Sequence, residues 1–318
     1  MIRPAPVAPG VRRMTAPNPS PMTAAGTNAY LIGGRRAVLI DPGPDDPAWR
    51  AQLLAALGPE VELVAILVTH SHRDHSPGAA PISAETGAPT LAFGPHGAGQ
   101  SATMARLAAE GGAEALGGGE GADRAFSPDR RLSDGEVAVE EDGFRLTALH
   151  TPGHLGNHLS FALEIDAGGA GAGRGEGRTD RILFSGDHVM GWATSLVSPP
   201  DGDMGAFMAS LDRLATRQAG RQADRIYLPG HGDPVADPSA RVAELIAHRR
   251  AREAQVLAAL EEGPATAAAL AARIYREVDP RLLPMAARNV LSHLIDLTER
   301  GLAAPDGEPS AAAAFRAA

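Results

Sequence analysis

Hydrophobic residues in the first two thirds of the chain recur in short runs, separated by polar or glycine-rich segments and a few amphipathic stretches. Apolar runs of about 4–8 residues predict strands, and apolar residues at helical spacing predict helices. The predicted strands cover residues 28–32, 36–40, 64–68, 89–93, 137–139, 144–149, 159–164, 181–184 and 225–228, and the predicted helices cover 47–57, 79–86 and 204–216. Such a mixture of the two kinds of element favours a layered α/β fold.

The pattern changes toward the carboxyl end, where three helical stretches follow one another over residues 239–260, 266–275 and 283–300. Thr266 is placed to cap the second of these helices, and Gly301 to end the third. Three helices followed by a polar tail resemble a winged-helix unit whose wing is reduced. We therefore predict an α/β domain over residues 1–236 and a small α-helical, winged-helix-like domain over residues 237–318.

Two glycine- and alanine-rich segments interrupt the pattern, at residues 95–130 and 166–179. The first is interpreted as a surface insertion or lid with a short helix near residues 103–110. The second is interpreted as a disordered loop between two strands. Both segments look like additions to the framework rather than parts of its core.

Composition limits the chemistry that the chain can perform. The net charge of −9 argues against a general polyanion-binding surface. The chain has no cysteine, so disulfides and thiolate ligands are excluded, and any metal must be held by histidine and carboxylate. No apolar run reaches the roughly 18–20 residues of a membrane span. Residues 1–21 lack the apolar core of a secretory signal, so we expect a cytoplasmic protein without membrane contact.

Three histidines and an aspartate occur within six residues in His70-Ser71-His72-Arg73-Asp74-His75, just after the predicted strand 64–68. His70 and His72 are two residues apart, so in an extended segment their side chains leave on the same face. Asp74 and His75 follow where the chain turns. A polar loop that is rich in histidine by chance is disfavoured, because only 11 of the 318 residues are histidine. The segment can direct two pairs of ligands at two neighbouring points.

Three further candidate ligands follow other predicted strands, tens of residues apart. His154 follows a Pro-Gly turn, Asp187 follows Gly186 at the end of a strand, and His231 lies between two glycines. Side chains at the ends of several strands converge on one edge of a layered fold. A single histidine at a strand end is more often structural, and only the combination with the segment 70–75 indicates a site.

Counting ligands indicates a dinuclear metal centre. The seven candidates divide into two sets and a bridge: His70, His72 and His154; Asp74, His75 and His231; and Asp187 between them. Three imidazoles around a metal with an open position are a catalytic pattern. Two metals about 3.5–4 Å apart would hold a hydroxide, lower its pKa toward about 7 and polarise a substrate oxygen. Nitrogen and oxygen ligands suit two Zn²⁺ ions, with Mn²⁺ or Fe²⁺ as alternatives.

Other histidines lie near these ligands in the sequence. His150, His158 and His188 either orient the ligands through hydrogen bonds or serve only to pack the interior. Asp74 and His188 are candidates for proton handling during catalysis. Three more histidines are expected to be unrelated to the site: His96, His248 and His293.

The pattern resembles the metallo-beta-lactamase superfamily in its His-x-His-x-Asp-His form, and the glyoxalase II and ribonuclease Z branches more than the class B beta-lactamases. Several segments are similar to the beta-lactamase-like protein 2 group: residues 18–23, 26–31, 70–75, 151–154, 229–232 and 247–249. The resemblance implies a four-layer αββα sandwich and two zinc ions on the ligands assigned above. It also implies, from mitochondrial members of that group, endoribonuclease activity on single-stranded RNA. Leu155 and Ser71 depart from the usual threonine and aromatic residue, which leaves the substrate open.

The sequence thus predicts a metal-dependent hydrolase that cleaves an ester, thioester or phosphodiester bond. Single-stranded RNA and a small-molecule thioester or ester are the rival substrates, and a lactone or β-lactam comes third. A non-catalytic nucleic-acid-binding protein, acting through the helix at 283–300, is the alternative from another class. The weak positive charge after residue 237 instead favours a carboxyl-terminal domain that packs on the first domain. There it would shape the substrate channel or form a homodimer contact.

Overall fold

The computed structural model describes residues 3–116, 121–166, 179–221, 223–277 and 279–318. The first of its sheets is formed by the amino-terminal part of the chain. Its strands follow in sequence order: β1 (Ala5–Ala8), β2 (Val11–Thr15), β3 (Asn28–Gly33), β4 (Arg36–Ile40), β5 (Glu62–Leu67), β6 (Thr90–Ala92) and β7 (Arg130–Arg131). The pairs from β1 to β4 are antiparallel, and those from β4 to β7 are parallel. Helices α1 (Pro47–Leu57), α2 (Ala79–Thr86) and α3 (Ala102–Leu116) lie in the three connections between the parallel strands.

The second sheet has the order β12-β11-β10-β9-β8. Its strands are β8 (Val137–Glu141), β9 (Phe144–His150), β10 (Leu159–Asp166), β11 (Thr179–Gly186) and β12 (Ile226–Pro229). The β11–β12 pair is parallel, and helix α4 (Met204–Ala219) lies in the connection between its two strands. The other neighbouring strands of this sheet are antiparallel.

Alternation along the strands places the two sheets face to face. Tyr30 and Ile32 of β3 contact the central core, which also holds Phe161 and Phe184 of the second sheet. Leu31, between the two β3 residues, points to the other side, where α1 and α2 cover the first sheet. Helix α4 and the first turns of α5 (Pro238–Glu261) cover the second sheet in the same way. The order helix, sheet, sheet, helix confirms the expected αββα sandwich.

The carboxyl-terminal part contains α6 (Ala267–Ile274), a 3₁₀ turn (Pro280–Leu282), α7 (Leu283–Glu299) and a small sheet. The strands of that sheet are β13 (Ala265–Thr266), β14 (Ala303–Pro305) and β15 (Ala314–Ala317), in the order β13-β15-β14. The predicted polar tail contains the wing, which is a short antiparallel hairpin of β14 and β15. Its alanine-rich strands carry little β-branched signal, and the fully buried Phe315 docks the hairpin on the helices.

Other secondary-structure elements also differ from the predicted ones. Strands β1 and β2 were not predicted, because proline and arginine residues hide their alternation at the edge of the sheet. Helix α3 is longer than the predicted helix at 103–110, and its Met104 and Leu107 pack against the carboxyl-terminal helices. Most of the loop predicted at 166–179 lies outside the described residues.

Helix α5 belongs to both halves of the molecule. Val242 and Leu245 in its first turns pack on the second sheet, whereas Val256 and Leu260 in its last turns pack on α6 and α7. The domain division at residues 236 and 237 therefore stays a prediction. Among the described helices, none combines the length and apolarity that a bilayer crossing requires.

Candidate metal centre

All seven candidate ligands lie at one edge of the sandwich. The segment 70–75 follows β5, and the other three ligands follow β9, β11 and β12. The structure groups their side chains as His70, His72, His154 and Asp187, and as Asp74, His75 and His231. Within each group, one possible ligand atom per residue lies within 4.8 Å of all the others. The tertiary structure thus brings together every residue that we predicted as a metal ligand.

Three imidazoles form the centre of the first group. Nδ1 of His72 lies 2.9 Å from Nε2 of His70 and 3.0 Å from Nε2 of His154. Oδ2 of Asp187 lies 3.7 Å from Nε2 of His154 and 4.0 Å from Nε2 of His70. A tetrahedral ion with bonds of about 2.0–2.1 Å separates its ligand atoms by about 3.3 Å. The four atoms therefore suit one such ion.

The second group is equally compact. Nε2 of His75 lies 3.3 Å from Nε2 of His231 and 3.3 Å from Oδ2 of Asp74. The remaining separation, between Nε2 of His231 and Oδ2 of Asp74, is 3.2 Å. These three atoms supply three ligands for a second ion.

Asp187 contacts both groups. Its Oδ2 lies 3.2 Å from Nε2 of His231, and its Oδ1 lies 3.5 Å from Nε2 of His75. Oδ1 is buried and has no hydrogen-bond donor within the described part of the chain, which leaves an acceptor free for a cation. A Cβ on Gly230 would stand 2.3 Å from this oxygen, so only glycine allows the carboxylate to lie there.

Hydrogen bonds from the surrounding backbone and side chains orient the imidazoles. His154 donates its Nδ1–H to the carbonyl of Leu196 at 2.8 Å, and His231 donates its Nδ1–H to the carbonyl of Gly26 at 3.2 Å. His70 Nδ1 lies 2.9 Å from the hydroxyl of Thr69. In each case the hydrogen bond leaves Nε2 with its lone pair toward the site.

Asp41 is the functional residue that our sequence reasoning missed. Its carboxylate accepts hydrogen bonds from Nδ1 of His75 at 2.9 Å and from the backbone N–H and hydroxyl of Thr69, both at 2.8 Å. Asp41 has a positive φ of 50° at the end of β4. Asp41 directly follows the predicted strand 36–40, and we assigned no role to it. The available signal was a carboxylate at the end of a strand that neighbours the strand preceding His70.

Burial controls the protonation of the first group. It lowers the pKa of His70 well below its ordinary value, with the charges of His75 and His72 adding to the effect. Burial likewise lowers the pKa of His72 to about 3, again with a contribution from the neighbouring His154. These imidazoles are therefore neutral near pH 7, which is the form that binds a metal.

Carboxylates control the protonation of the second group. Burial acts to lower the pKa of His231, but Asp187 and Asp74 outweigh it and raise this pKa to about 10. Burial would raise the pKa of Asp74, yet His75 and His231 hold it well below its ordinary value. The two carboxylates thus attract positive charge, and a divalent cation would supply the charge that histidine protons otherwise provide.

The nearby histidines fall into different environments. His158 accepts the backbone N–H of Asp187 at its Nε2 (3.2 Å), and so helps to position the bridging carboxylate. His150 instead stacks on Phe93, with ring centroids 3.9 Å apart. His188 is fully buried and stacks on Phe207, and neither ring nitrogen has a hydrogen-bond partner among the residues described. His188 does not reach the open side of the site, so the geometry gives no basis for proton handling by this residue.

The three histidines that we set aside also have defined places. His96 lies between Ser71 and Asp201, at 3.3 Å from each, and His293 is buried in α7. His248 lines a cavity that reaches the metal centre, but it belongs to neither ligand group.

Two adjoining cavities of about 300 and 290 Å³ open onto the candidate ligands. They share a lining of Met22, His154, Asp187, Leu196 and Met285. Met285 lies on α7, so the carboxyl-terminal part supplies one wall of the space in front of the metal centre. This arrangement agrees with a winged-helix unit that packs on the first domain and shapes the substrate channel.

Each of the two parts of the chain matches a known protein family. Residues 22–231 match the metallo-beta-lactamase superfamily, and residues 266–311 match the beta-lactamase-associated winged helix domain. A metallo-beta-lactamase family protein from Thermus thermophilus has a similar structure, with a TM-score of 0.69 and 28% identity. The similarity covers 97% of this chain and 99% of that protein.

Two curated relatives carry more specific names. The beta-lactamase-like protein 2 homolog of Drosophila melanogaster is 30% identical over 305 residues, covering 92% of this chain and 88% of the relative. The atrochrysone carboxyl ACP thioesterase of Aspergillus chevalieri is 31% identical over 261 residues, covering 80% of this chain and 67% of the relative. The family match and the ligand geometry confirm the prediction of a metal-dependent hydrolase, and the chain belongs to the metallo-beta-lactamase superfamily.

Proposed function

We propose that this protein is a dinuclear, zinc-dependent thioesterase. The observation that carries the proposal is the carboxylate of Asp187 between two ligand groups, at the floor of a small and mostly apolar cavity. The relative from Aspergillus chevalieri is named as a thioesterase, which supports this substrate class. The chain covers 67% of the length of that relative. The relative's name therefore supports a class of substrate, but it does not assign the activity of the whole relative to this chain.

The ligand groups explain how the chain would prepare the reaction. His70, His72 and His154 would hold one ion, Asp74, His75 and His231 would hold the other, and Asp187 would contact both. When bound, the two ions supply Lewis acidity to the attacking water and to the carbonyl oxygen of the thioester. The hydrogen bonds of Asp41 and Leu196 to the imidazoles keep the ligands oriented before substrate arrives. The pKa of Asp74 is held well below its ordinary value, so this carboxylate is ionised near pH 7, as a metal ligand must be.

The shape and lining of the cavity favour a thioester over RNA. Met190, Trp192 and Met285 provide apolar surface beside the metal centre, which suits an acyl group. Non-specific binding of single-stranded RNA instead requires a long basic groove with exposed aromatic side chains. The net charge of −9 does not provide such a surface. RNA remains the alternative because the Drosophila relative, named beta-lactamase-like protein 2 homolog, matches over most of its length.

Metal content and parallel assays test the proposal. The purified protein should contain two zinc ions per chain and should hydrolyse S-lactoylglutathione or an acyl N-acetylcysteamine thioester much faster than a single-stranded oligoribonucleotide. The His72→Ala/Asp187→Ala variant should lose metal and activity together, because it removes one ligand of the first ion and the shared carboxylate. His150→Gln should retain both metals, since His150 stacks on Phe93 outside the ligand groups.

Three results would contradict the proposal. Absence of stoichiometric metal excludes a dinuclear enzyme, and full activity of the double variant excludes the assigned ligands. Cleavage of RNA without thioester hydrolysis would establish the alternative. A homodimer and a cytoplasmic location stay predictions from the sequence.

A further inference from the structure

We propose that Arg249 and Arg252 form an anion-binding subsite in the cavity, which holds a carboxylate or phosphate group of an otherwise apolar thioester. The inference rests on the proposed function and assigns a substrate class to it. Both arginines lie on α5 and line the cavity that reaches His154 and Asp187. They are three positions apart, which places them on the same face of the helix.

Arg249 is a buried cation without a matching anion. Only 3% of the residue is exposed, and no carboxylate forms an ion pair with it in the ranges that the structure describes. Its guanidinium donates to the carbonyl of Ser195 and to Oδ1 of Asn289, whereas its Nε–H finds no acceptor among the described groups. A buried arginine normally has a carboxylate or phosphate partner, because removing its charge from water is costly.

The groups around Arg249 do not supply the missing negative charge. Burial lowers the pKa values of His248 and His293, and the positive charge of Arg249 lowers them further. Burial lowers the pKa of Arg249 itself to about 10, Tyr275 opposes this shift, and the positive charge of Arg252 adds to it. The Arg249 guanidinium lies over the ring of Phe207, 5.0 Å from its centroid, and no described carboxylate pairs with it, so a bound anion would stabilise its charge.

Arg252 extends the positive surface toward the open end of the cavity. Its guanidinium lies over the ring of Tyr275, 4.4 Å from the centroid, and its Nη1 donates to Oε1 of Gln255 at 2.7 Å. No described carboxylate pairs with Arg252 either. Asp187, which we assign to the metals, is the one acidic residue among the described side chains that line this cavity. Stacking on Tyr275 holds the Arg252 guanidinium in a fixed orientation for an incoming anion.

The rest of the cavity is apolar and partly exposed. Met22 and Trp192 are each 43% exposed, and Leu282 is 39% exposed, although large apolar side chains are usually buried. All three line the same cavity as the arginines. A substrate with an apolar body would cover them, while its charged group contacts Arg249 and Arg252 and its thioester carbonyl lies near Asp187. The anion could be a carboxylate on the acyl group or the phosphate of a phosphopantetheine leaving group.

Matched substrates and variants test the subsite. The probes are glutaryl N-acetylcysteamine thioester, its methyl ester, and a neutral acyl thioester of phosphopantetheine. Arg252→Gln should raise KM about tenfold for whichever probe carries the recognised anion, with kcat and the KM for the neutral methyl ester unchanged. Comparing the KM values for the glutaryl and phosphopantetheine probes then shows whether the subsite binds the carboxylate or the phosphate. Arg250→Gln is the control, because Arg250 lies on the same helix, is exposed and faces Asp212 at 3.8 Å.

A binding measurement separates this inference from the proposed function. The amide analogue of the glutaryl probe cannot be hydrolysed as a thioester, and its Kd and that of phosphopantetheine can be measured by calorimetry on the wild-type holoenzyme. Weaker binding of either anion to the Arg252→Gln variant supports the subsite even if no thioester is cleaved. Equal affinities of wild type and variant for both anionic probes, or an equal loss for neutral and anionic probes, would overturn it.

Discussion

At the scale of single residues, the metal centre depends on groups that are not ligands themselves. Asp41 connects the His75 ring to the backbone of Thr69, and so links the second ligand group to the end of β5. Gly230 leaves room for Asp187, whose Oδ1 would otherwise clash with a Cβ. Each of these residues acts through geometry and charge on a side chain that we assign to metal binding.

Replacing Asp41 by asparagine should weaken binding at the second metal position. The substitution keeps the size of the side chain, and asparagine tolerates the positive φ at this position. It removes the negative charge that orients and polarises His75, and the loss of such a partner typically lowers metal affinity by about 10–100-fold. Competition with a chromophoric chelator measures the effect. Asp45→Asn, at an exposed residue that pairs with Arg50, is the control, and equal affinities for both variants would refute the role of Asp41.

At the scale of structural elements, the carboxyl-terminal helices hold a segment that orients a ligand. The carbonyl of Leu196 accepts the Nδ1–H of His154, and the two neighbours of Leu196 contact helices α5 and α7. Arg249 of α5 donates to the carbonyl of Ser195, and Asn289 of α7 accepts the N–H of Val197 at 3.2 Å. The winged-helix unit thus reaches the first ligand group through three consecutive residues.

Replacing Asn289 by alanine should loosen this segment and lower metal affinity at the first position by about tenfold, as the loss of a partner behind a ligand does. Asn289→Asp retains an Oδ1 acceptor for Val197 and should bind metal as the wild type does. Zinc titration of both variants, together with their thermal stability, measures the effect. Unchanged affinity in Asn289→Ala would show that the segment 195–197 keeps its position without α7.

At the scale of the whole molecule, the metal centre joins segments from all parts of the first domain. Its ligands follow β5, β9, β11 and β12, which belong to two different sheets. An unfolded chain cannot hold these ligands together, so metal binds the folded state preferentially. Metal binding and the stability of the sandwich are therefore coupled.

Removal of metal should lower both activity and stability. At a free zinc concentration of about 100 times Kd, preferential binding stabilises the folded state by about 2.7 kcal/mol per site. Treatment with a chelator should abolish thioester hydrolysis and lower Tm, and added zinc should restore both. The His72→Ala/Asp187→Ala variant should show no shift of Tm on zinc addition. A zinc-independent Tm in the wild type would contradict the predicted coupling.

The sequence alone determined the fold class, the family and the seven candidate ligands that the structure brings together. Strong β-branched runs, helical spacing and the His70–His75 segment are local signals, and each survives in the structure because local preference and tertiary packing agree there. Weak local signals failed, as in the alanine-rich strands β14 and β15, which form because Phe315 buries its ring against α6 and α7. Those strands are stabilised by contacts between segments that are distant in sequence.

Only the tertiary structure decided how the surroundings of the site are built. The position of Asp41 behind His75, the burial of His188 away from the cavity, and the placement of Arg249 beside the metal centre all depend on contacts between distant segments. A sequence shows which residue types are available and where strands end. It does not show which side chains face a shared cavity, because that depends on how the sheets and the carboxyl-terminal helices pack against one another.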